Sequence, residues 1–359
     1  MSRGVRFPLV AAVAALLAFI PACGKKSGKI KIGVVTNCTA EFWSICEAGA
    51  KKAAAEFDVD LVFRQPTSSS VPDQMEIIEG FMQQGVKGLA VSVIDPKEQS
   101  PELKRLAGQV PLLAMDNDAD QSGRLCYIGI DNYEGGKAAG RLVKKALPNG
   151  GVVGVFIGSV ISANGKARSQ GVLDELADQK DATGRSDKYP ERPTLDGKWF
   201  GKYFLVQGGP ITDDTKPTVA TDKAIDTLSK VKGLPNLCMV GLYAYNPPSI
   251  LEGIRTNSMT GQVKVIGFDE DWDTLKGIAA GTVEATVVQD PFGYGYKSVE
   301  VLAAAARGDT SKLPKDAIPY RVVTKDGGPE ETVNGLKVVN LKVADFEAKL
   351  RADIASVKK

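Results

Sequence analysis

The sequence KIKIGVV at residues 29–35 is followed by a helical segment and then by a second apolar run, LVF, at 61–63. The second half of the first run is nearly unbroken in β-branched residues, as expected for a strand buried on both faces of a parallel sheet. Between the runs, the segment from Phe42 to Phe57 has a helical pattern in which Ala48 and Gly49 permit close packing. These segments predict a β-α-β unit.

The alternation of strands and helices continues to about residue 323. We predict further strands at 88–93, 111–115, 152–157, 203–207, 237–242, 263–268, 285–289 and 320–323, and helices at 73–84, 102–108, from 131 onward, 167–176, 220–230, 248–256, 272–280 and 293–307. Short links between alternating elements indicate parallel sheets with right-handed crossovers.

Two similar series of units predict an α/β protein with two doubly wound parallel-sheet lobes. We assign residues 29–130 plus about 290–319 to an N-terminal lobe, and 131–289 plus about 320–345 to a C-terminal lobe. The late units return to the first lobe, so several linkers would form a multi-strand hinge. The polar segment 177–202 interrupts the alternation and is predicted to be an exposed insertion.

Residues 1–22 have the pattern of a secretory signal peptide, with two early arginines and an apolar run, Leu9 to Ile20, that is too short to cross a bilayer. Ile20-Pro21-Ala22-Cys23 resembles a bacterial lipobox, which implies that Cys23 becomes the first mature residue and carries a lipid, with 23–28 as a tether. The alternative is ordinary cleavage that leaves a free thiol at Cys23. We expect a protein of the periplasm or cell surface, attached to the membrane only through that lipid.

The composition argues against several classes of function. The chain contains no histidine, so it cannot form a Ser-His-Asp or Cys-His hydrolase site by itself. Its formal net charge is +2 and no basic block is interleaved with aromatic residues, so nucleic acid is not an expected partner. No cysteine pair has CxxC spacing, and we predict no metal and no cofactor. An exported compartment permits disulfides, so the pairing of Cys38, Cys46, Cys126 and Cys238 stays open, with small buried thiols as the favoured interpretation.

Polar and aromatic side chains follow the predicted strands. Because ligands of open parallel sheets bind at the carboxyl ends of strands, these residues are candidates for a binding site. They are Phe42, Trp43, Asp116, Asn117, Asn164, Arg168, Tyr243, Asn246, Asp269 and Gln289. Aromatic rings can stack on the C–H face of a sugar, and charged groups hydrogen-bond its hydroxyls strongly, so the set favours a polyhydroxylated ligand.

The order of the units resembles that of the ribose/galactose-type periplasmic sugar-binding proteins from about Lys29 to Val323. The motifs that carry the resemblance are Asp131-Asn132 before Gly135-Gly136, Arg168 before Gly171, Gly267-Phe268-Asp269, and Gln289-Asp290-Pro291. The resemblance implies a type I periplasmic binding protein fold. It also implies a monomeric solute-binding lipoprotein that captures a sugar or related polyol and delivers it to an ABC permease in the membrane.

The resemblance assigns roles to individual residues. Phe42-Trp43 looks like the aromatic pair that stacks the sugar, and the polar residues of the family's site match Asp116, Arg168, Asn246, Asp269 and Gln289. The chain departs from the family pattern at Ala40-Glu41 and Asn246-Pro247. These departures leave the identity of the sugar open.

Two other functions are compatible with the same sequence. A ligand-sensing subunit that signals to a membrane receptor kinase would have the same site and differ only in its partner. A sugar-modifying enzyme on this fold could use Asp116 and Asp269 as an acid–base pair. Each candidate residue also has an ordinary structural interpretation, such as a turn for Asp116 or a helix cap for Asp269.

Overall fold

A computed structural model describes Met1 and residues 28–177, 195–333 and 335–356. The predicted signal peptide, the lipidation site at Cys23 and most of the tether lie outside the described residues. Within the described part of the chain, no helix has both the length and the apolar character needed to cross a bilayer. Cys38, Cys46, Cys126 and Cys238 are all free thiols.

The elements alternate as the sequence predicts. The first series consists of β1 (Ile30–Val35), α1 (Glu41–Glu56), β2 (Val59–Arg64), α2 (Val71–Gln83), β3 (Gly88–Val91), α3 (Pro96–Ala107), β4 (Leu112–Met115), a short 3-10 helix (Asp120–Ser122) and β5 (Tyr127–Ile128). The second series consists of α4 (Asn132–Ala146), β6 (Gly151–Ile157), α5 (Ala163–Ala177), β7 (Gly197–Phe200), β8 (Tyr203–Val206), β9 (Ile211–Thr212), α6 (Pro217–Val231), β10 (Leu237–Gly241), α7 (Asn246–Thr256), β11 (Val263–Phe268), α8 (Trp272–Ala280), β12 (Ala285–Val288), α9 (Pro291–Ala305), β13 (Arg321–Thr324), β14 (Glu331–Val333), β15 (Leu336–Lys342) and α10 (Val343–Ala355).

The strands of the described ranges form two sheets, one in each lobe. The first sheet is parallel, in the order β2-β1-β3-β4-β5. The second contains the parallel order β8-β6-β10-β11-β12, extended by antiparallel neighbours β7 and β13. The two parallel orders are equivalent. In each sheet the second strand of the series lies on one side of the first strand, β1 or β6, and the later strands of that order lie on its other side. Open α/β sheets bind ligands at the point where the strand order changes direction in this way. The prediction of two doubly wound lobes is confirmed.

Within the described residues, the chain passes between the lobes three times. Residues 129–131 lead from β5 into α4, which packs against α5 and the second sheet. Residues 289–290 lead from β12 to α9, which packs on α1 and the first sheet, and residues 306–320 return to β13. Three connections on one side leave the strand ends of the two lobes facing each other.

Two glycines let α4 and α5 approach closely. A Cβ atom at Gly136 would lie 2.1 Å from the carbonyl oxygen of Arg168, and one at Gly171 would lie 2.2 Å from that of Tyr133. Any larger side chain at either position would therefore push the helices apart. This contact fixes the height of Arg168 relative to the start of α4, where Asn132 lies.

Some elements differ from the sequence predictions. Helix α3 begins at Pro96 instead of residue 102, because Asp95 caps it by accepting hydrogen bonds from the amides of Lys97 and Glu98. Pro101, which reads as a boundary, lies inside this helix. Residues 197–200 of the predicted insertion form the edge strand β7, whose Trp199 packs on Phe204 at 5.3 Å. Residues 178–194 lie outside the described residues.

The sequence analysis also missed the C-terminal elements β14, β15 and α10. Val343, Phe346 and Leu350 are buried at helical spacing on α10, and they pack into the core of the second lobe. This spacing is a recognisable signal of an amphipathic helix.

Replacing Gly136 or Gly171 by Ala is expected to lower the free energy of unfolding by about 1–3 kcal/mol, because the added methyl group overpacks the α4–α5 contact. Gly80 in α2 has open space where a Cβ atom would lie, so Gly80→Ala is the matched control and should stabilise the protein by about 0.4–1 kcal/mol. Urea unfolding followed by circular dichroism measures all three variants. Equal stability of the three variants would contradict the proposed close contact.

Candidate functional site

The strand ends of the two lobes line a cavity that is partly open to solvent. Both lobes contribute to its walls. It is lined by Asn37, Cys38, Ala40, Phe42, Trp43, Asp116, Asn164, Arg168, Thr215, Tyr243, Ala244, Tyr245 and Asp269. We call it the inner cavity.

Arg168 lines the inner cavity, and its side chain is only 2% exposed. Its Nε donates to Oδ1 of Asn132 at 2.8 Å, and its Nη1 donates to the carbonyl oxygen of Leu242 at 2.9 Å. The guanidinium lies 4.1 Å from the ring centroid of Phe268. The C-terminal lobe therefore holds this cation in one orientation. Its buried Nη2 makes no hydrogen bond within the described part of the chain.

A carboxylate from each lobe flanks Arg168. Asp116 of the N-terminal lobe lies 3.5 Å from Nη2, and Asp269 of the C-terminal lobe lies 3.6 Å from Nη1. These distances are ion-pair distances that are longer than charge-assisted hydrogen bonds. Burying a cation costs several kcal/mol unless charges compensate it, so these two carboxylates are needed to keep the guanidinium in the cavity.

Both aspartates have a left-handed backbone at the end of a strand. Asp116 follows β4 with φ 60°, and Asp269 follows β11 with φ 71°. The amide of each residue still donates to a neighbouring strand region, to the carbonyl oxygens of Ile128 and Val287 respectively. Strained backbone of this kind persists where surrounding structure holds it, and it clusters at functional sites. Here it turns a carboxylate from each lobe toward the same cation.

Gln289 connects the two carboxylates from behind. Its Nε2 donates to Oδ1 of Asp269 at 2.6 Å and lies 3.4 Å from Oδ1 of Asp116. Its Oε1 accepts from the hydroxyl of Tyr294 at 3.0 Å, and that hydroxyl accepts from the amide of Ile130. Gln289 is fully buried and does not line the cavity, so it orients the carboxylates at the hinge.

Burial governs the ionisation of the two aspartates. It raises the pKa of Asp116 to about 6, a shift that Arg168 opposes and Asp269 increases. Burial likewise raises the pKa of Asp269, against the opposing effect of Arg168. Further hydrogen bonds donated to either carboxylate would therefore stabilise its charged form.

Phe42 and Trp43 begin α1 and form one wall of the cavity. Their rings meet edge to face, with centroids 4.9 Å apart and planes at 87°. The indole Nε1 of Trp43 donates to Oδ1 of Asn37 at 3.0 Å, which fixes the ring. The wall offers apolar surface beside the charged groups, an arrangement suited to a sugar ring.

Tyr243 and Asn164 form the opposite wall. The Tyr243 hydroxyl lies 2.9 Å from the Ser162 hydroxyl and donates to Oδ1 of Asn164 at 3.0 Å. Asn164 also donates from Nδ2 to Oδ2 of Asp116 at 3.3 Å, which links the two lobes.

Three candidate residues lie outside the lining of the inner cavity. Gln289 is behind the carboxylates, as described above. Asn117 lines an adjacent cavity, and its Oδ1 accepts from the amide of Asn164 at 2.9 Å across the lobes. Asn246 donates to Oδ2 of Asp213 at 2.8 Å and accepts from the amide of Tyr243 at 3.0 Å, so it supports the wall from beneath.

The structure adds residues that the sequence analysis did not select. Thr215, Asn37 and Cys38 line the cavity, as does Tyr245, whose hydroxyl donates to Oδ1 of Asp213 at 2.6 Å. Asp213 is buried and holds this wall together. Thr215 follows the two-residue strand β9, which is too short to show an alternating pattern. The strand-end criterion does identify Asn37 and Tyr245, which follow predicted strands, although neither is among the ten selected candidates.

The pKa of Asp116 leads to a prediction for the ligand-free protein. Because the folded state holds this proton up to about pH 6 and the unfolded chain releases it near 3.8, stability falls as the pH rises from about 4 to 6. Asp116→Asn should remove about 1–3 kcal/mol of that fall, and asparagine tolerates the left-handed backbone. Chemical unfolding between pH 4 and 7.5 measures the effect, with the exposed Asp120→Asn as control. An unchanged pH profile in Asp116→Asn would contradict the buried environment.

Comparison with known proteins identifies the family. A family model described as a periplasmic binding protein domain matches residues 32–310. The D-allose-binding periplasmic protein of Escherichia coli is 22% identical over 299 residues, covering 80% of this chain and 87% of that protein. The ribose import binding protein of Salmonella typhimurium is 24% identical over 290 residues, covering 79% and 87% respectively.

A solved structure agrees with this result. The solute-binding protein of an ABC transporter from Burkholderia graminis, crystallised with D-arabinose, has a TM-score of 0.72 and 27% sequence identity. The match covers 84% of this chain and 97% of that one. The sequence resemblance and the predicted type I fold are confirmed. Because the family model spans well over half of the sequence, this protein belongs to the periplasmic binding protein family.

Proposed function

We propose that this protein captures a sugar or related polyol between its lobes, outside the cytoplasm, and delivers it to an ABC importer. The observation that carries the proposal is the Arg168 guanidinium, which the C-terminal lobe holds between carboxylates of both lobes and whose Nη2 makes no hydrogen bond within the described residues. A hydroxyl can accept from a guanidinium while it donates to a carboxylate. Relatives named for allose and ribose binding support a sugar as the ligand.

Closure of the lobes follows from the same geometry. Asp116 and Asn117 approach Asn164 and Arg168 across the cleft only when the lobes are together. A ligand that touches both lobes therefore shifts the population toward the closed form. The closed form is the state that we propose is presented to the permease.

The contacts of the carboxylates favour binding over catalysis. Asp116 and Asp269 flank one guanidinium and share the side-chain amide of Gln289, and burial raises the pKa of both carboxyls, so both balance the same buried cation. An acid–base pair requires two groups in different environments. The remaining alternative is a sensory subunit, which co-purification with a receptor kinase in place of a permease would show.

The binding proposal is tested by calorimetry with free pentoses and hexoses. Arg168→Lys should weaken the affinity for the bound sugar about 30-fold or more, and Asp269→Asn about tenfold, because each removes charge-assisted hydrogen bonds. Arg255→Ala is the control, since that side chain is 75% exposed on α7. Thermal unfolding of each variant checks the fold. Wild-type affinity in folded Arg168→Lys and Asp269→Asn would contradict the proposed site.

We also propose that Cys23 is lipidated and anchors a monomeric protein at the membrane surface. The lipobox-like sequence supports this proposal, and the family implies a location outside the cytoplasm. In the native bacterium, Cys23→Ser should release the protein from the membrane fraction, whereas Cys38→Ser should leave it there. Mass spectrometry of the mature N-terminus identifies the lipid. Membrane retention of a Cys23→Ser protein whose mass shows that residues 1–22 have been removed would contradict the anchor.

A further inference from the structure

A second cavity adjoins the inner cavity. We call it the outer cavity, because Val160, Ile161 and Asp214 on its wall are exposed to solvent. The two cavities share Asn37, Thr215 and Tyr243, so these three side chains form a rim between them. A molecule bound at Arg168 has the outer cavity directly beside it.

The side chain of Tyr243, which forms part of the rim, is held in a fixed position by the fold. The hydroxyl of Tyr243 is fixed by Ser162 and Asn164, as described above, and its ring contacts the backbone at Gly158. A Cβ atom at Gly158 would lie 2.3 Å from the Tyr243 ring, so only glycine leaves room for it. The Tyr243 side of the rim therefore has a defined position.

A neighbouring part of the rim is held in a strained conformation. Asp214 and Thr215 are consecutive residues with left-handed backbone, at φ 54° and 59°. The amide of Thr215 donates to the carbonyl oxygen of Gly158 at 2.9 Å, and the adjacent Asp213 is buried against Tyr245. Two successive strained residues cost free energy, and such strain is retained where a site needs it. Here it presents Thr215 to both cavities.

The wall of the outer cavity combines apolar and hydroxyl surface. Val160 is 46% exposed and Ile161 is 48% exposed, between Ser159 and Ser162. From the N-terminal lobe, Ile94 faces the same space. Exposed aliphatic side chains beside a few polar groups are the composition of a small-molecule site. A second ring with one apolar face fits this wall.

We propose that the outer cavity is a second subsite, which takes a group joined by a glycosidic oxygen to the sugar in the inner cavity. The preferred ligand is then a disaccharide or another small glycoside. This inference rests on the proposed sugar-binding function and specifies its class of ligand. The aliphatic pair Val160 and Ile161 contacts the second ring, while Arg168 holds the first.

The test uses calorimetry with free D-pentoses and D-hexoses and with the phenyl α- and β-glycosides of each. We expect one glycoside to bind at least about tenfold more tightly than its parent sugar, because its ring buries additional apolar surface. Val160→Ser and Ile161→Ser should each weaken that glycoside about three- to tenfold and leave the parent sugar within about twofold. Val339→Ser is the control, since Val339 is 37% exposed on β15, away from both cavities.

The outcomes separate the inference from the proposed function. If free sugars bind and every glycoside binds more weakly, the second subsite is wrong and the sugar-binding function stands. The second subsite is also wrong if the two variants weaken parent sugar and glycoside equally. If neither free nor linked sugars bind, the proposed function fails, and the subsite with it.

Discussion

The buried guanidinium of Arg168 is the constraint on which the site depends. A cation with 2% exposure needs compensating charge, and the fold supplies it from Asp116 in one lobe and Asp269 in the other. The C-terminal lobe fixes the cation through Asn132 and the Leu242 carbonyl oxygen. Because one compensating carboxylate belongs to the opposite lobe, the charge balance of Arg168 is coupled to the distance between the lobes.

The repeated strand order explains how each lobe supplies a carboxylate to the same cation, Arg168. In each parallel sheet the fourth strand of the equivalent order is followed by an aspartate in the left-handed region, Asp116 after β4 and Asp269 after β11. Helix packing supplies a further partner, Asn132. Because Gly136 and Gly171 allow α5 to lie close to α4, Arg168 reaches the side chain of Asn132. Backbone strain at the two aspartates and close packing of α4 and α5 therefore together determine where Arg168 and its partners lie.

The sequence was sufficient to predict the alternating elements, the two lobes and the edge of each sheet where the site lies. It selected Asp116, Arg168 and Asp269 because strand ends converge at that edge. It could not show which way a strand-end side chain points, and Asn246 supports the wall by binding the buried Asp213. Thr215 was missed because its position depends on a strained loop after a very short strand, which leaves no periodic signal in the sequence.

The most direct test of this account is a crystal structure of the protein with a bound sugar. The account predicts that a sugar oxygen lies about 3 Å from Nη2 of Arg168 and within hydrogen-bonding distance of Asp116 or Asp269. It also predicts that the ring of Phe42 or Trp43 faces the C–H surface of the sugar. A sugar bound elsewhere, or one in the cavity with no contact to Arg168, would contradict the account.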